Sequence, residues 1–320
     1  MASEATMLAE LHTVAVYTAD SGDAAMLEEM FEQARSTPGH SAALIFRIEY
    51  ELEKIRSRGR PVADSAAVWD DLVRRGAVRL PPDDPAMLTA RSLRAQYTRR
   101  RGLPGDIDRA IEMYRDEQRL REELFSADDP RTSTARANLA LTIRERDRPG
   151  DLETARELLE REALFRIDRY GPDRPFTWIA NIVFAQTLLL LADRADTDTR
   201  RDLARQAADL TRQMLQSRRR RYGDGHRSTL RAQIVYAHAL LLLGQAEDAV
   251  AELREVQAVE GRGMLDPGWS DYLLARALRD IHPGRARTHA HRAVRLRSTS
   301  YLEGSRQLRE AQRLVSELGD

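Results

Sequence analysis

The sequence repeats itself, and the period restricts what the chain can build. Five segments align without gaps: residues 84–97 (DPAMLTARSLRAQY), 129–142 (DPRTSTARANLALT), 174–187 (RPFTWIANIVFAQT), 226–239 (HRSTLRAQIVYAHA) and 266–279 (DPGWSDYLLARALR). Each opens on a turn and continues as a helix. Each also carries an alanine at one fixed offset, Ala95, Ala140, Ala185, Ala237 and Ala277, separated by 45, 45, 52 and 40 residues. A unit of this length cannot bury its apolar stripe alone, so it must stack on its neighbours in an array. Where two helices cross closely, a side chain larger than methyl would force the axes apart, so a recurring alanine marks the crossing point. Ala110 and Ala155 are the facing small residues expected on the partner helices.

A second helix is expected after each first one, over residues 106–125, 151–170, 200–222, 246–259 and 285–297. Apolar residues within them recur at three and four, as in Leu152, Ala155, Leu158, Leu159 and Ala163, or Leu203, Ala207, Leu210 and Met214. Gly102, Gly105, Gly150, Gly171, Gly223, Gly244 and Gly284 fall at the breaks, where helices end. Asp106 and Asp151 stand where a side chain caps the N–H groups of the following helix. The polar residues 193–199 read as a solvated loop that accounts for the one long interval. No segment alternates with period two, which predicts essentially no sheet.

The ends are less regular. Residues 7–19 with 23–35, and 41–58 with 62–75, read as two further helix pairs, and the Pro81-Pro82 and Asp83-Asp84-Pro85 run marks a boundary. Residues 301–318 hold apolar side chains only at Leu302, Leu308, Ala311, Val315 and Leu318, the one-sided helix an array needs to close its last core surface. This divides the chain into capping pairs over 1–80, core repeats over 81–260, and a divergent last repeat with a capping helix over 261–320.

The helix pairs, the small-residue phase and the turns of the form D-x-x-x-T/S resemble tetratricopeptide repeats (TPR), in the longer variety found in kinesin light chains and bacterial signalling proteins. Residues 135–171 and 221–256 carry the likeness best; it is strong over 84–260 and weaker over 267–297. It implies an all-α, right-handed solenoid of stacked antiparallel helix pairs, whose first helices line a concave groove that holds an extended or helical peptide. Carried over phase by phase, the groove positions are Thr89, Ser92, Gln96 and Arg99, then Thr134, Asn138 and Arg144, then Gln186, then Arg231 and His238. In the family, Asn at the Asn138 phase contacts peptide. Amides can bridge a peptide backbone and guanidinium groups can clamp a carboxylate.

Composition narrows the chemistry. The chain has no cysteine, which removes disulfides, thiolate metal sites and thiol nucleophiles and suits a cytoplasmic protein. Its 51 basic and 51 acidic residues cancel, so neither a nucleic-acid glove nor a membrane anchor is indicated. Only one basic residue, Lys54, is lysine, the codon bias of a GC-rich bacterial genome. The longest apolar run, 179–191, is interrupted by Asn181 and Gln186 and falls short of the roughly 20 residues that span a bilayer. The first twelve residues carry acids where a signal peptide carries bases.

No phosphate-binding loop is legible; Gly261-Arg262-Gly263 reads as an inter-helix loop. His289 and His291 lie two apart, on different sides of a helix, so with His282 they make at best a weak surface metal site. Asp83-Asp84, Asp128-Asp129 and Glu122-Glu123 read as charges at helix ends, and Arg218 to Arg221 as cations answering a helix C-terminus or docking an acidic partner. Residues 1–37 hold seven acids and one base, residues 271–320 ten arginines and six acids. That polarity is an ordinary solvated surface or a head-to-tail contact, and spare apolar surface on a terminal pair would suit a homodimer.

The reading is a non-catalytic scaffold that binds a protein or peptide segment, with no catalytic residue, cofactor, metal, nucleic acid or membrane. Two alternatives stay open: a peptide-sensing bacterial regulator whose array changes curvature on binding, and, behind it, an all-helical enzyme.

Overall fold

The computed structural model describes residues 4–21, 24–259, 267–301, 303 and 305–319. Among them are fifteen α-helices and no strand. The helices are α1 (Glu4–Ser21), α2 (Ala25–Ser36), α3 (Ala42–Gly59), α4 (Val62–Gly76), α5 (Pro85–Arg101), α6 (Asp106–Leu124), α7 (Pro130–Arg146) and α8 (Asp151–Tyr170). They continue as α9 (Pro175–Arg194), α10 (Thr197–Tyr222), α11 (Arg227–Leu242), α12 (Ala246–Val259), α13 (Trp269–Leu278), α14 (Pro283–Ser298) and α15 (Arg306–Leu318). This is an all-α repeat solenoid of helix pairs. Its contacts divide into two compact units, residues 1–142 and 143–320.

In the first unit α3 shows why pairs stack. Its side chains Leu44, Ile48 and Leu52 join Met7, Leu11 and Leu27 in one core, while Phe46 and Tyr50 turn to a second core with Trp69, Leu72, Met87 and Tyr97. One helix thus belongs to two layers. Leu80 is buried in that second core, so packing runs without a break across the boundary expected near residue 80. Trp69 sits edge-on to Tyr50 at 6.0 Å, stacks on Tyr97 at 6.4 Å, and donates Nε1–H to Ser57 Oγ at 3.0 Å. Gly76, at the end of α4, lets the backbone approach these rings: a Cβ there would lie 2.4 Å from Met87 Sδ and 2.5 Å from the Phe46 ring. Ala95, Ala110 and Ala140 are fully buried at their crossings.

In the second unit Ala155, Ala185 and Ala237 are likewise fully buried, and Ala277 nearly so. Leu230, Ile234, Leu253, Val256, Leu273 and Leu274 form the main core, and Ala275, Ala290 and Leu314 seat α15. The closing helix buries Leu308, Ala311 and Leu314; its start is Arg306 because Ser305 Oγ accepts from Leu308 N at 3.4 Å. Leu302 and the Gly261–Gly263 stretch lie outside the described residues.

Three local expectations are corrected. Residues 193–199 are not a loop: Asp193 ends inside α9, and Asp196 caps α10 by accepting from Asp198 N at 3.1 Å and Thr199 N at 3.0 Å. The extra length of that repeat is a longer helix. Asp106 and Asp151 do not cap; Gly105 and Gly150 hold the cap positions, in the left-handed region at φ +81 and +84. Their carboxylates reach backwards instead, Asp106 to Arg101 at 2.6 Å and Leu103 N at 3.0 Å, Asp151 to Arg146 at 2.7 Å and Arg148 N at 2.9 Å. Each clamp ties the end of a first helix to the start of its partner, and the bound guanidinium holds the carboxyl below its usual range in both. Gly284 is not a break either, since it lies in the first turn of α14.

The second helices also carry buried arginines. Arg121 donates to the carbonyls of Arg131 at 2.6 Å and Leu88 at 3.1 Å, and pairs with Glu117 one turn back; Arg166 pairs with Glu162 in the same way. Arg218 lies over the Trp178 ring at 5.2 Å, and Arg297 donates to Gln307 O at 2.7 Å. The charge run at 218–221 is therefore partly internal.

Candidate functional site

The site lies in the second unit, where three first helices bring polar side chains to one face. On α9 Gln186, Leu190 and Asp193 are four and three residues apart, which aligns them along the helix. Arg231 Nη2 on α11 donates to Gln186 Oε1 at 3.4 Å, and His238 Nε2 meets Asp193 Oδ2 at 3.1 Å. Both pairs are 45 residues apart, so α9 and α11 run parallel and in register. Arg144, near the end of α7, approaches Val183 O and Thr187 Oγ1, each at 3.4 Å.

Asp193 is the hub. Arg276 from α13 grips it with Nη2 to Oδ1 at 2.7 Å and Nη1 to Oδ2 at 3.3 Å. His238 Nε2 also lies 3.3 Å from Arg276 Nη1, so the imidazole, the guanidinium and the carboxylate meet at one point. Burial opposes the charge of Asp193, but His238 and Arg276 outweigh it and hold the carboxyl well below the usual carboxylate range. Burial pushes the Tyr272 hydroxyl upward.

Beyond this hub lies a recess of about 100 Å³ walled by Arg144, Gln186, Asp193, His238, Trp269 and Tyr272 and closed by Arg297, Arg306, Gln307 and Glu310. Arg297 is 2% exposed and stacks over Tyr272 at 4.6 Å. Arg306 Nε is 3.7 Å from Glu310, and its buried Nη1 has no hydrogen-bond partner among the described residues. Four arginines, counting Arg276 behind Asp193, face two carboxylates. The volume is well below the roughly 300 Å³ at which small-molecule pockets begin, so it fits one polar side chain or chain terminus.

The expected positions divide between the units. Arg144, Gln186, Arg231 and His238 come together here. In the first unit Thr89 Oγ1 donates back to Pro85 O at 2.9 Å, Thr134 Oγ1 to Pro130 O at 3.4 Å, and Ser92 Oγ to the buried Glu117 at 2.5 Å. Gln96, Arg99 and Asn138 are half-buried on α5 and α7. Sequence reasoning missed Asp193, Tyr272, Arg276, Arg297 and Arg306. Repeat phase did not flag Asp193: across the 52-residue interval His238 corresponds to Gln186, and Asp193 lies seven residues beyond that phase. His289 is turned to the buried Asp271, with Nδ1 2.8 Å from Oδ1, and no group of three metal-ligating side chains occurs among the described residues. No helix of the described chain is long and apolar enough to cross a membrane.

The chain has the fold of an all-α repeat solenoid, and solved TPR-like repeat structures share it. A TPR protein from Parabacteroides merdae aligns with a TM-score of 0.56 at 14% identity over 98% of both chains. A kinesin-light-chain-type protein of nearly identical TPR-like repeats from Podosopora anserina aligns at 0.53 and 18% identity, over 67% of this chain and 94% of its own. BtubC (BKLC) from P. vanneervenii gives 0.53 and 18% over 77% of this chain and 93% of its own. No family model and no curated protein sequence matches.

Proposed function

We propose that this chain is a non-catalytic scaffold that holds a protein or peptide segment, anchored by an acidic side chain or a C-terminal carboxylate in the recess of the second unit. One observation carries the reading: Arg306 presents a buried Nη1 without a partner, in a recess where Arg144, Gln186 and His238 already converge. A buried donor left unsatisfied costs about 1–3 kcal/mol, which an incoming carboxylate would recover. Tyr272 and Trp269 supply the apolar wall against which the rest of such a side chain lies. TPR-type folds commonly serve as protein-binding scaffolds, and a cysteine-free chain suits the reducing cytoplasm.

The test is selection of short displayed peptides on the wild-type protein, followed by titration of the recovered sequences against an Arg144→Ala, Arg306→Ala double variant. The expected result is peptides sharing an acidic residue or terminus whose affinity falls at least tenfold in the variant. Recovered peptides without a carboxylate anchor, or binding the double variant equally, would overturn the proposal.

A further inference from the structure

We propose that the outer face of the first helix pair is a docking site for a cationic amphipathic helix. The inner face of α1 and α2 is spent on the core: Met7, Leu11, Leu27 and Met30 pack with Leu44, Ile48 and Leu52 of α3. A groove of about 550 Å³ lies open between the same two helices, floored by Ala9, Val14, Met26 and Met30 and flanked by Glu10 and Glu29. Tyr17 follows Thr6, Glu10 and Thr13 at helical spacing on α1 and is 58% exposed, with Val16 at 54% and Met26 on α2 at 46%. Met26 lines the groove and the exposed Val16 and Tyr17 lie farther along α1; single exposed apolar side chains are ordinary, whereas an open apolar groove marks a contact.

Charge selects the occupant. The other glutamates of the pair are engaged: Glu4 with Ser41, Glu28 with Arg56 at 3.0 Å and Glu32 with Arg35 at 3.7 Å. Glu10 and Glu29, the two on the groove, make no ion pair among the described residues. Two uncompensated carboxylates flanking an apolar floor complement a helix with an apolar stripe and lysine or arginine on its flanks. The exposed Met26 suits this role, because an unbranched thioether chain adapts to different apolar side chains. A helix is also the shape the fold presents to such a face elsewhere: α3 packs on the other side of this pair, and α15 packs on α14 and α13. The groove shares no residue with the second-unit recess and does not depend on what that recess binds.

The experiment titrates the full chain with a labelled 15-residue helical peptide of leucines at three- and four-residue spacing and lysines elsewhere, beside an analogue with glutamate for lysine. The cationic peptide is expected to bind. Its affinity should fall at least tenfold in Met26→Arg and in the Glu10→Lys, Glu29→Lys double variant, with helicity and melting unchanged because these side chains lie at the surface. Arg144→Ala with Arg306→Ala should leave that affinity within twofold. Equal binding of the anionic analogue, or undiminished affinity in the groove variants, would overturn the assignment. So would sedimentation showing that the wild-type chain self-associates through this face and becomes monomeric in Met26→Arg, since a second copy would then be the occupant.

Discussion

The first helices of the two units carry polar residues at matching phases, but in the second unit they wall the recess around Asp193, whereas in the first Thr89, Ser92 and Thr134 bond back within their own unit. In the first unit Thr89 and Thr134 fold back on carbonyls of their own helices, and Ser92 is drawn inward by Glu117. Short hydroxyl side chains find carbonyl partners one turn away, which spends their one O–H donor. In the second unit Gln186, Arg231 and His238 are longer and bond between helices, and the charge of Asp193 organises Arg276 beside them. Repeat phase therefore assigns a face, while side-chain reach decides whether that face can grip anything.

The comparison can be broken most sharply by Arg121→Met in the first unit. It would strand the Glu117 carboxylate and leave the carbonyls of Arg131 and Leu88 without their donor, at a cost of about 3–5 kcal/mol. Urea unfolding should show that loss while affinity for a short acidic peptide stays within twofold; a large loss of peptide affinity without destabilisation would put the grip in the wrong unit.

Asp193→Asn comes next, at about 2 kcal/mol, because Arg276 and His238 lose a partly buried counter-charge. Its pH dependence has a definite sign. The folded carboxyl titrates below its unfolded value of about 3.9, so its stabilisation is fully present above that value and disappears as pH falls towards the folded one. The gap between wild type and variant should therefore be constant from pH 7 to 5 and shrink below pH 4. A gap unchanged at pH 3 would mean that the ion pairs contribute nothing.

Arg306→Ala and Arg144→Ala should each weaken an acidic peptide about tenfold, or about 1.4 kcal/mol, by calorimetry, while Asn138→Ala in the first unit changes it less than twofold. The smallest effect belongs to Thr89→Ala and Thr134→Ala, whose exposed, self-bonded side chains should move stability by less than about 0.5 kcal/mol. Equal binding losses in both units would erase the distinction drawn between them.

Much of the fold was legible because its determinants are local. The alanine phase located the crossings, and glycines at 102, 105, 150, 171, 223 and 244 do adopt positive φ between 74 and 84. The misread stretch at 193–199 shows the limit: Asp and Thr favour both loops and helix starts, and only the backbone bonds of Asp196 decide between them. The internal arginines were visible in principle, since Arg121, Arg166 and Arg218 repeat at 45 and 52 residues, the same intervals as Ala140, Ala185 and Ala237. They were passed over because arginine is ordinarily a surface residue. The recess was half legible. Gln186 and His238 follow from repeat phase, whereas Arg297 and Arg306 enter it through the packing of α15, where the repeat pattern is faint.

The bond from Arg297 to the carbonyl of Gln307 bears on how such an array can be lengthened. Solenoids tolerate an added helix pair wherever neighbouring layers meet only through generic apolar contact. Between α14 and α15 that freedom is lost, because an insertion would part Arg297 from Gln307 and carry Arg306 away from Tyr272. Duplication elsewhere would leave the recess intact; duplication there would dismantle it.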